Sequence, residues 1–258
     1  MTDVRELFDL SGKVAVVTGG GSGIGRQMAE ALAELGADLV LCARKAERCE
    51  QAAAELSELG VRAIGLRCDV TKADEVQALV ERAVAELGAV DILVNNAGTT
   101  WGASPEEMPL EGWQKVVDVN LTGPFLCAQA VGRSMIERGS GGRIVNIASV
   151  AGLRGAPAEV VNTVVYHATK GGLIAFTRDL AWKWARHGIT VNAIAPGWFP
   201  SDMSRVVLER AGPGLLDSVP LGRYGGEADL KGAVAYLASR ASDYVTGQVL
   251  VVDGGQSA

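Results

Sequence analysis

Short apolar runs, mostly β-branched, alternate with amphipathic stretches along nearly the whole chain. Residues 13–18, 38–43, 62–68, 90–94, 142–148, 189–195 and 248–252 are the apolar runs, each of a length suited to a strand buried on both faces. Between them, residues 26–35, 46–59, 73–87, 110–138, 166–186 and 227–239 carry apolar positions at helical spacing. This alternation predicts a parallel sheet with helices on both faces, a Rossmann-type doubly wound α/β fold. Nothing in it marks a second domain, so residues 1–258 are expected to form one unit. Residues 201–216, with Trp198 and Phe199 before them and Gly212-Pro213-Gly214 inside, read as a helical lid within 198–218. Pro124 falls inside the long helical stretch 110–138, where it removes an intrahelical bond. A bend is expected near Asn120, which makes that residue a candidate for function as well as packing.

The turn after the first run sets the chemistry. Thr18 is followed by Gly19-Gly20-Gly21-Ser22-Gly23-Ile24-Gly25 and then a helix, the order in which a dinucleotide-binding turn occurs. Gly19 allows the tight turn, Gly23 admits a pyrophosphate close to the backbone, and Gly25 lets the helix approach the strand. Ser22 and Ile24 complete the cradle at a helix N-terminus, whose free N–H groups favour phosphate. After the second run, where NAD-selective sites place a carboxylate, the chain has Ala43 and then Arg44-Lys45. A guanidinium there suits a 2′-phosphate, so NADP(H) is expected over NAD(H), against the alternative that Arg44 and Lys45 merely face water. Asp69 and Val70 end the third run, where the carboxylate is placed to accept from an adenine amino group or to cap the next helix. Asn95-Asn96-Ala97-Gly98 ends the fourth; small residues let backbone approach a ribose, and Asn side chains can tie neighbouring strands.

Ser149 emerges at the end of the fifth run, where open α/β sheets bind ligands. Tyr166 and Lys170 are four residues apart, so a helix puts phenol and ammonium on one face. A nearby cation favours the phenolate and is expected to lower the tyrosine pKa from its ordinary value of about 10.

With 258 residues and 48% hydrophobic content, the chain can bury a substantial core. The net charge of −6, without any block of Lys or Arg, argues against nucleic acid or an anionic membrane as partner and for a small molecule. The first residues lack a basic segment followed by an apolar one, and no run suits a membrane span, so a cytoplasmic protein is expected. Cys42, Cys49, Cys68 and Cys127 have no C-x-x-C spacing and read as reduced, buried thiols; no metal site is expected. His167 and His187 are the only histidines, read as a groove-lining or helix-surface residue and a helix terminus.

Thr18-Gly19-x-x-x-Gly23-x-Gly25, Asn95-Asn96-Ala97-Gly98, Asn120, Ser149, Tyr166-x-x-x-Lys170 and Pro196-Gly197, in this order, resemble the short-chain dehydrogenase/reductase family over nearly the whole chain. The resemblance implies an NAD(P)-dependent oxidoreductase acting on a ketone or secondary alcohol. It implies Tyr166 as general acid/base and Lys170 on the nicotinamide ribose, lowering the tyrosine pKa. Ser149 would orient the substrate oxygen, and Asn120 would hold a water that passes protons to Lys170. The backbone after Pro196 and Gly197, with the hydroxyl of Ser201 where the family more often has Thr, would fasten the carboxamide. A homotetramer is implied as well. Residues 8–13 and the long Ser149–Tyr166 spacing look like gluconate 5-dehydrogenases, and the general pattern like 3-oxoacyl-carrier-protein reductases. Of two basic docking positions expected in the latter, Arg133 fits the first and Trp182 stands at the second. The competing class is a catalytically idle dinucleotide-binding subunit. The substrate pocket is expected to be mainly apolar, lined by Thr99-Thr100-Trp101, residues 151–165, Trp198, Phe199 and Met203, with Arg154 the only basic residue between Ser149 and Tyr166.

Overall fold

A computed structural model describes residues 3–258. One all-parallel sheet organises the chain, with strand order β3-β2-β1-β4-β5-β6-β7: β1 Val14–Thr18, β2 Asp38–Ala43, β3 Ala63–Arg67, β4 Ile92–Asn95, β5 Gly142–Ile147, β6 Ile189–Pro196 and β7 Val249–Val252. This is the Rossmann-type α/β fold predicted from the alternation of runs. β1 and β4 are buried along their whole length, because helices cover both faces.

On one face α2 Gly23–Glu34, α3 Ala46–Ser57 and α9 Lys231–Ala238 bury Met28, Leu32, Leu56 and Val234 against the sheet. On the other, α4 Ala73–Leu87, α6 Gly123–Arg138 and α7 Val164–Trp184 bury Leu79, Val131, Met135 and Leu180. The strand order reverses between β1 and β4, whose pairing includes Val16 opposite Leu93, so the carboxyl ends of these strands open a crevice. A short α1, Val4–Phe8, precedes the sheet and was not predicted.

The predicted bend at Asn120 is a π-helical turn, Asp118–Thr122, between α5 Leu110–Val117 and α6. The helical partner of the Asn120 carbonyl would be Pro124, which has no N–H to give, and the backbone widens instead. The predicted lid contains α8, Arg205–Leu216.

Of the aromatic residues expected to face a substrate, Phe199 lies in the core, and Trp101 is half-buried against α5. Phe199 is only 7% exposed and belongs to the core beside Leu230 and Val234, its ring packed against Gly225. Trp101 lies against Gly112 of α5, with the Lys115 ammonium 5.4 Å from its ring centroid. The glycines at 112 and 225 make room for these rings, a tertiary match that aromatic residues beside turns do not reveal on their own. Cys42, Cys49, Cys68 and Cys127 are unpaired and buried, as expected of reduced thiols. Among the described residues, no helix is long and apolar enough to cross a membrane.

Candidate active site

The crevice is built from the turn after β1. Thr18 Oγ1 receives the backbone N–H groups of Asn96 and Ala97, both at 3.0 Å, and Asn96 Nδ2 donates to the carbonyls of Thr18 at 2.9 Å and Gly19 at 3.3 Å. The second asparagine of the Asn95-Asn96 pair therefore ties β4 to the glycine turn. Asn95 reaches the other way, its Nδ2 donating to Asn146 Oδ1 at 2.9 Å, while Asn146 Nδ2 donates to Thr177 Oγ1 at 2.9 Å. These buried bonds hold β4, β5 and α7 in one register, and every link but the Asn95-Asn96 pair escaped the sequence reading.

The cradle fits a dinucleotide phosphate. Gly25 sits so close to the Gly19 carbonyl and Asn96 Nδ2 that any side chain would collide with them. Gly23 has φ +53°, and among the described residues beyond its own helix turn the nearest atom to its absent side chain is Ser201 Cβ, at 3.7 Å, so a ligand can reach its backbone. Ser22 caps α2 without a side-chain hydrogen bond, and the first turn of α2 holds no acidic residue. Its N–H groups are thus left to an anion. Ile24 turns inward and packs on the core.

Further along the carboxyl ends, Arg44 is exposed just beyond β2. Asp69 Oδ1 accepts from Thr71 N at 3.0 Å and Thr71 Oγ1 at 2.8 Å, closing an Asx turn; the N-cap of α4 is Lys72, without a side-chain bond, so the carboxylate does not cap that helix. Burial pushes the Asp69 carboxyl up, but the two bonds from Thr71 and the charges of Arg44 and Lys72 outweigh it and hold it below its usual value. Arg44 and Asp69 therefore share one end of the crevice. The side chain of Val70 is spent on packing against Gly123 at the start of α6, so only its backbone faces a ligand.

At the other end, Lys170 is buried on α7 and its Nζ donates to the Ile147 carbonyl at 2.6 Å. It lies 5.5 Å from the centroid of the Tyr166 ring. Burial holds Lys170 down to about 8 from its usual 10.5. The expectation that Lys170 would lower the Tyr166 pKa is not met in this structure: burial raises it, and a hydrogen bond with Ser149 pulls the other way. The reason is that desolvation disfavours both charged forms, and the ammonium spends its hydrogen bond on Ile147.

Ser149 Oγ also accepts from Ala151 N at 3.1 Å, which fixes its rotamer at the end of β5. Asn120 Oδ1 accepts from Thr99 N at 2.8 Å, and its Nδ2 donates to Thr99 O at 2.9 Å and Thr169 Oγ1 at 3.3 Å. Its amide is thus committed to the loop after β4, and any water it holds must be met by its backbone. The open space over Gly98 is bounded by Asn120 Oδ1 at 3.6 Å and Lys170 Nζ at 3.9 Å from where a Cβ would stand, which brings the two candidates together. Gly197 N bonds to Val252 O at 2.9 Å just past Pro196, and Ser201 Oγ lies 3.1 Å from Ser204 Oγ just before α8.

Residues 19–257 match the family model described as enoyl-(acyl carrier protein) reductase. The chain is 41% identical over 256 residues to a 2-dehydro-3-deoxy-D-gluconate 5-dehydrogenase of Escherichia coli (strain K12), covering 98% of each. It is 42% identical over 248 residues to a 3-oxoacyl-[acyl-carrier-protein] reductase of Synechocystis sp., covering 95% of this chain and 97% of the relative. The crystal structure of a gluconate 5-dehydrogenase from Burkholderia cenocepacia in complex with NADP and tartrate superposes with a TM-score of 0.92 at 39% identity, covering 99% of each chain.

A lysine pKa lowered by folding means that the unfolded chain binds more protons between about pH 8 and about pH 10.5, so the contribution of Lys170 to stability should rise with pH across that window. Denaturant unfolding at about pH 7 and about pH 9.5 should show the wild type gaining on Lys170→Met as pH rises. An equal difference at both pH values would contradict the burial of a titrating ammonium.

Proposed function

The chain belongs to the short-chain dehydrogenase/reductase family of oxidoreductases, and from that premise we propose that it transfers hydride between NADP(H) and a ketone or secondary alcohol at Ser149, Tyr166, Lys170 and Asn120. The observation that carries the reading is the meeting of a phenol, a hydroxyl and a buried ammonium, the last beside Gly98 beyond β4. When bound, the nicotinamide supplies or accepts the hydride. Tyr166 gives its hydroxyl proton to the carbonyl oxygen in reduction and takes it back in oxidation. Ser149, its rotamer set by Ala151 N, donates to the same oxygen and orients it. Lys170 places positive charge behind the phenol, which favours loss of the phenolic proton, and its ammonium would hold the ribose hydroxyls of the cofactor. Asn120 holds the Thr99 loop against α7, and its backbone in the π-helical turn is the place for a water leading to Lys170.

Gly19, Ser22, Gly23, Ile24 and Gly25 would hold the pyrophosphate, Asp69 and Val70 the adenine, and Asn96, Ala97 and Gly98 the ribose, with Pro196, Gly197 and Ser201 at the carboxamide. Arg44 would pair with the 2′-phosphate, since nothing acidic precedes it at Ala43. A keto sugar acid is the second reading of the substrate, favoured by the names of relatives that match the whole chain. We further propose a single domain that works as a homotetramer, because Leu110 (79% exposed), Phe125 and Trp182 (88%) leave apolar surface on α5, α6 and α7 that a second copy would cover.

Tyr166→Phe should lower kcat by about 10²–10⁴ with cofactor affinity nearly unchanged, measured by ketone-dependent NADPH oxidation and fluorescence titration; full turnover would refute the assignment. Loss of the charge-assisted bond in Arg44→Asp should weaken NADPH binding by about 1.5–3 kcal/mol without a like effect on NADH, and equal affinities in the unmodified protein would reject the NADP preference. Sedimentation at micromolar concentration should give a tetramer; a monomer would remove the proposed cover for Trp182.

A further inference from the structure

Beyond β7 the chain turns back across the open end of the sheet. Asp253 packs on Gly197, and Gly254 O accepts from Leu221 N at 3.1 Å just past the lid. Gln256 is thereby brought between two segments that flank the crevice. In the amide orientation that satisfies its neighbours, the Gln256 side-chain carbonyl accepts from Trp198 Nε1 at 2.9 Å and from Arg154 Nη2 at 3.2 Å. Ser218 Oγ, 3.1 Å away, can give its proton to the same oxygen or to Leu215 O at 2.6 Å, and Trp198 and Arg154 supply the N–H donors to it. One amide thus joins the segment after β6 to the loop that follows Ser149.

Arg154 is the only cation between Ser149 and Tyr166, and it is exposed. Asp253 feels its charge, yet the Asp253 carboxylate is occupied within its own segment, accepting from Gly255 N at 2.9 Å, Ser257 N at 2.7 Å and Ser257 Oγ at 2.6 Å. Among the described residues, the guanidinium is therefore oriented by a neutral amide and meets no contacting acid, which leaves its donor fork to a ligand. A planar fork held at one nitrogen is the arrangement that receives a carboxylate through two parallel bonds. Five residues beyond Ser149, it belongs to the loop that leaves the carboxyl end of β5, the end of the sheet at which Ser149 stands.

We propose that Arg154, positioned by Gln256, is the subsite for a carboxylate on the substrate. This rests on the oxidoreductase reading for the identity of the ligand as substrate, and it adds one charged subsite to the mainly apolar pocket expected from the sequence. Gln256 acts here as a positioning residue: it touches Arg154 and Trp198, and the guanidinium alone meets the carboxylate.

The test is calorimetric titration of the protein with NADP present, using tartrate and its uncharged dimethyl ester as paired probes. Arg154→Met should weaken tartrate binding by about ten- to a hundredfold, the loss of a charge-assisted pair, and leave the ester and NADPH affinities unchanged. Arg154→Lys should recover part of the loss, because it restores charge without the fork. Gln256→Leu should weaken tartrate by a smaller factor and also shift the emission of Trp198, its other partner. Tartrate affinity that is unchanged in Arg154→Met, or equal losses for tartrate and ester, or no tartrate binding by the wild type would overturn the subsite. An unaffected Gln256→Leu would overturn the positioning role. Because the readout is binding, a chain that turned over no ketone would still report on the subsite, so failure of the catalytic reading is distinguishable from failure of this one.

Discussion

The parallel pairing of β1 with β4 is the constraint on which the remaining chemistry depends. Strands to either side of that junction are laid down in opposite directions across the sheet, so the connections leaving the two carboxyl ends diverge and a crevice opens between them. Closing the sheet there requires two backbones to approach, and the chain meets the requirement with Gly25 against Gly19 and with the Asn96 amide bonded across the gap. The same geometry points the start of α2 into the crevice with its N–H groups uncapped. A fold that needs a close approach for packing thus produces an anion site without further residues being spent on it.

The second demand is a cation in the interior. Lys170 is 4% exposed and offers an ammonium to a single backbone carbonyl, and burial holds its pKa down to about 8. Such a group persists because its surroundings are held from several sides. The Asn95, Asn146 and Thr177 bonds fix the strands beneath it, and Asn120 fixes the Thr99 loop beside it. The π-helical turn is part of this support, since it carries Asn120 at a point where Pro124 interrupts the regular ladder. Structure and reactivity are joined here, because the bonds that stabilise the loops also set where charge sits relative to Tyr166.

Between these two ends the scaffold is shared with relatives that bear different names, a keto-gluconate dehydrogenase and an oxoacyl reductase among them. What can differ lies in segments outside the regular elements. The loop after Ser149, the turn at Trp198 and the residues after β7 meet through one glutamine amide. A change of a residue or two in these segments costs the sheet nothing, which is how one fold serves several substrates.

The order of strands and helices, the glycine turn, the Tyr166–Lys170 pair and the irregularity at Asn120 were all legible in the chain, because each depends on neighbours within a few residues: periodicity, a missing Cβ, a four-residue helical spacing, a proline without an N–H. Ser149 and Asn96 were legible as residues at strand ends, though their partners were not. The tertiary structure alone decided that Phe199 belongs to the core, because the room for its ring is supplied by Gly225. It decided the direction of the Tyr166 pKa, since burial depends on everything that packs around the ring. It also brought Gln256 to Arg154, 102 positions apart by their numbers (256 minus 154), through a return of the chain that no local pattern announces. Local geometry is written in local sequence, whereas desolvation and long-range hydrogen bonds are properties of the assembled surface and are settled when distant segments meet.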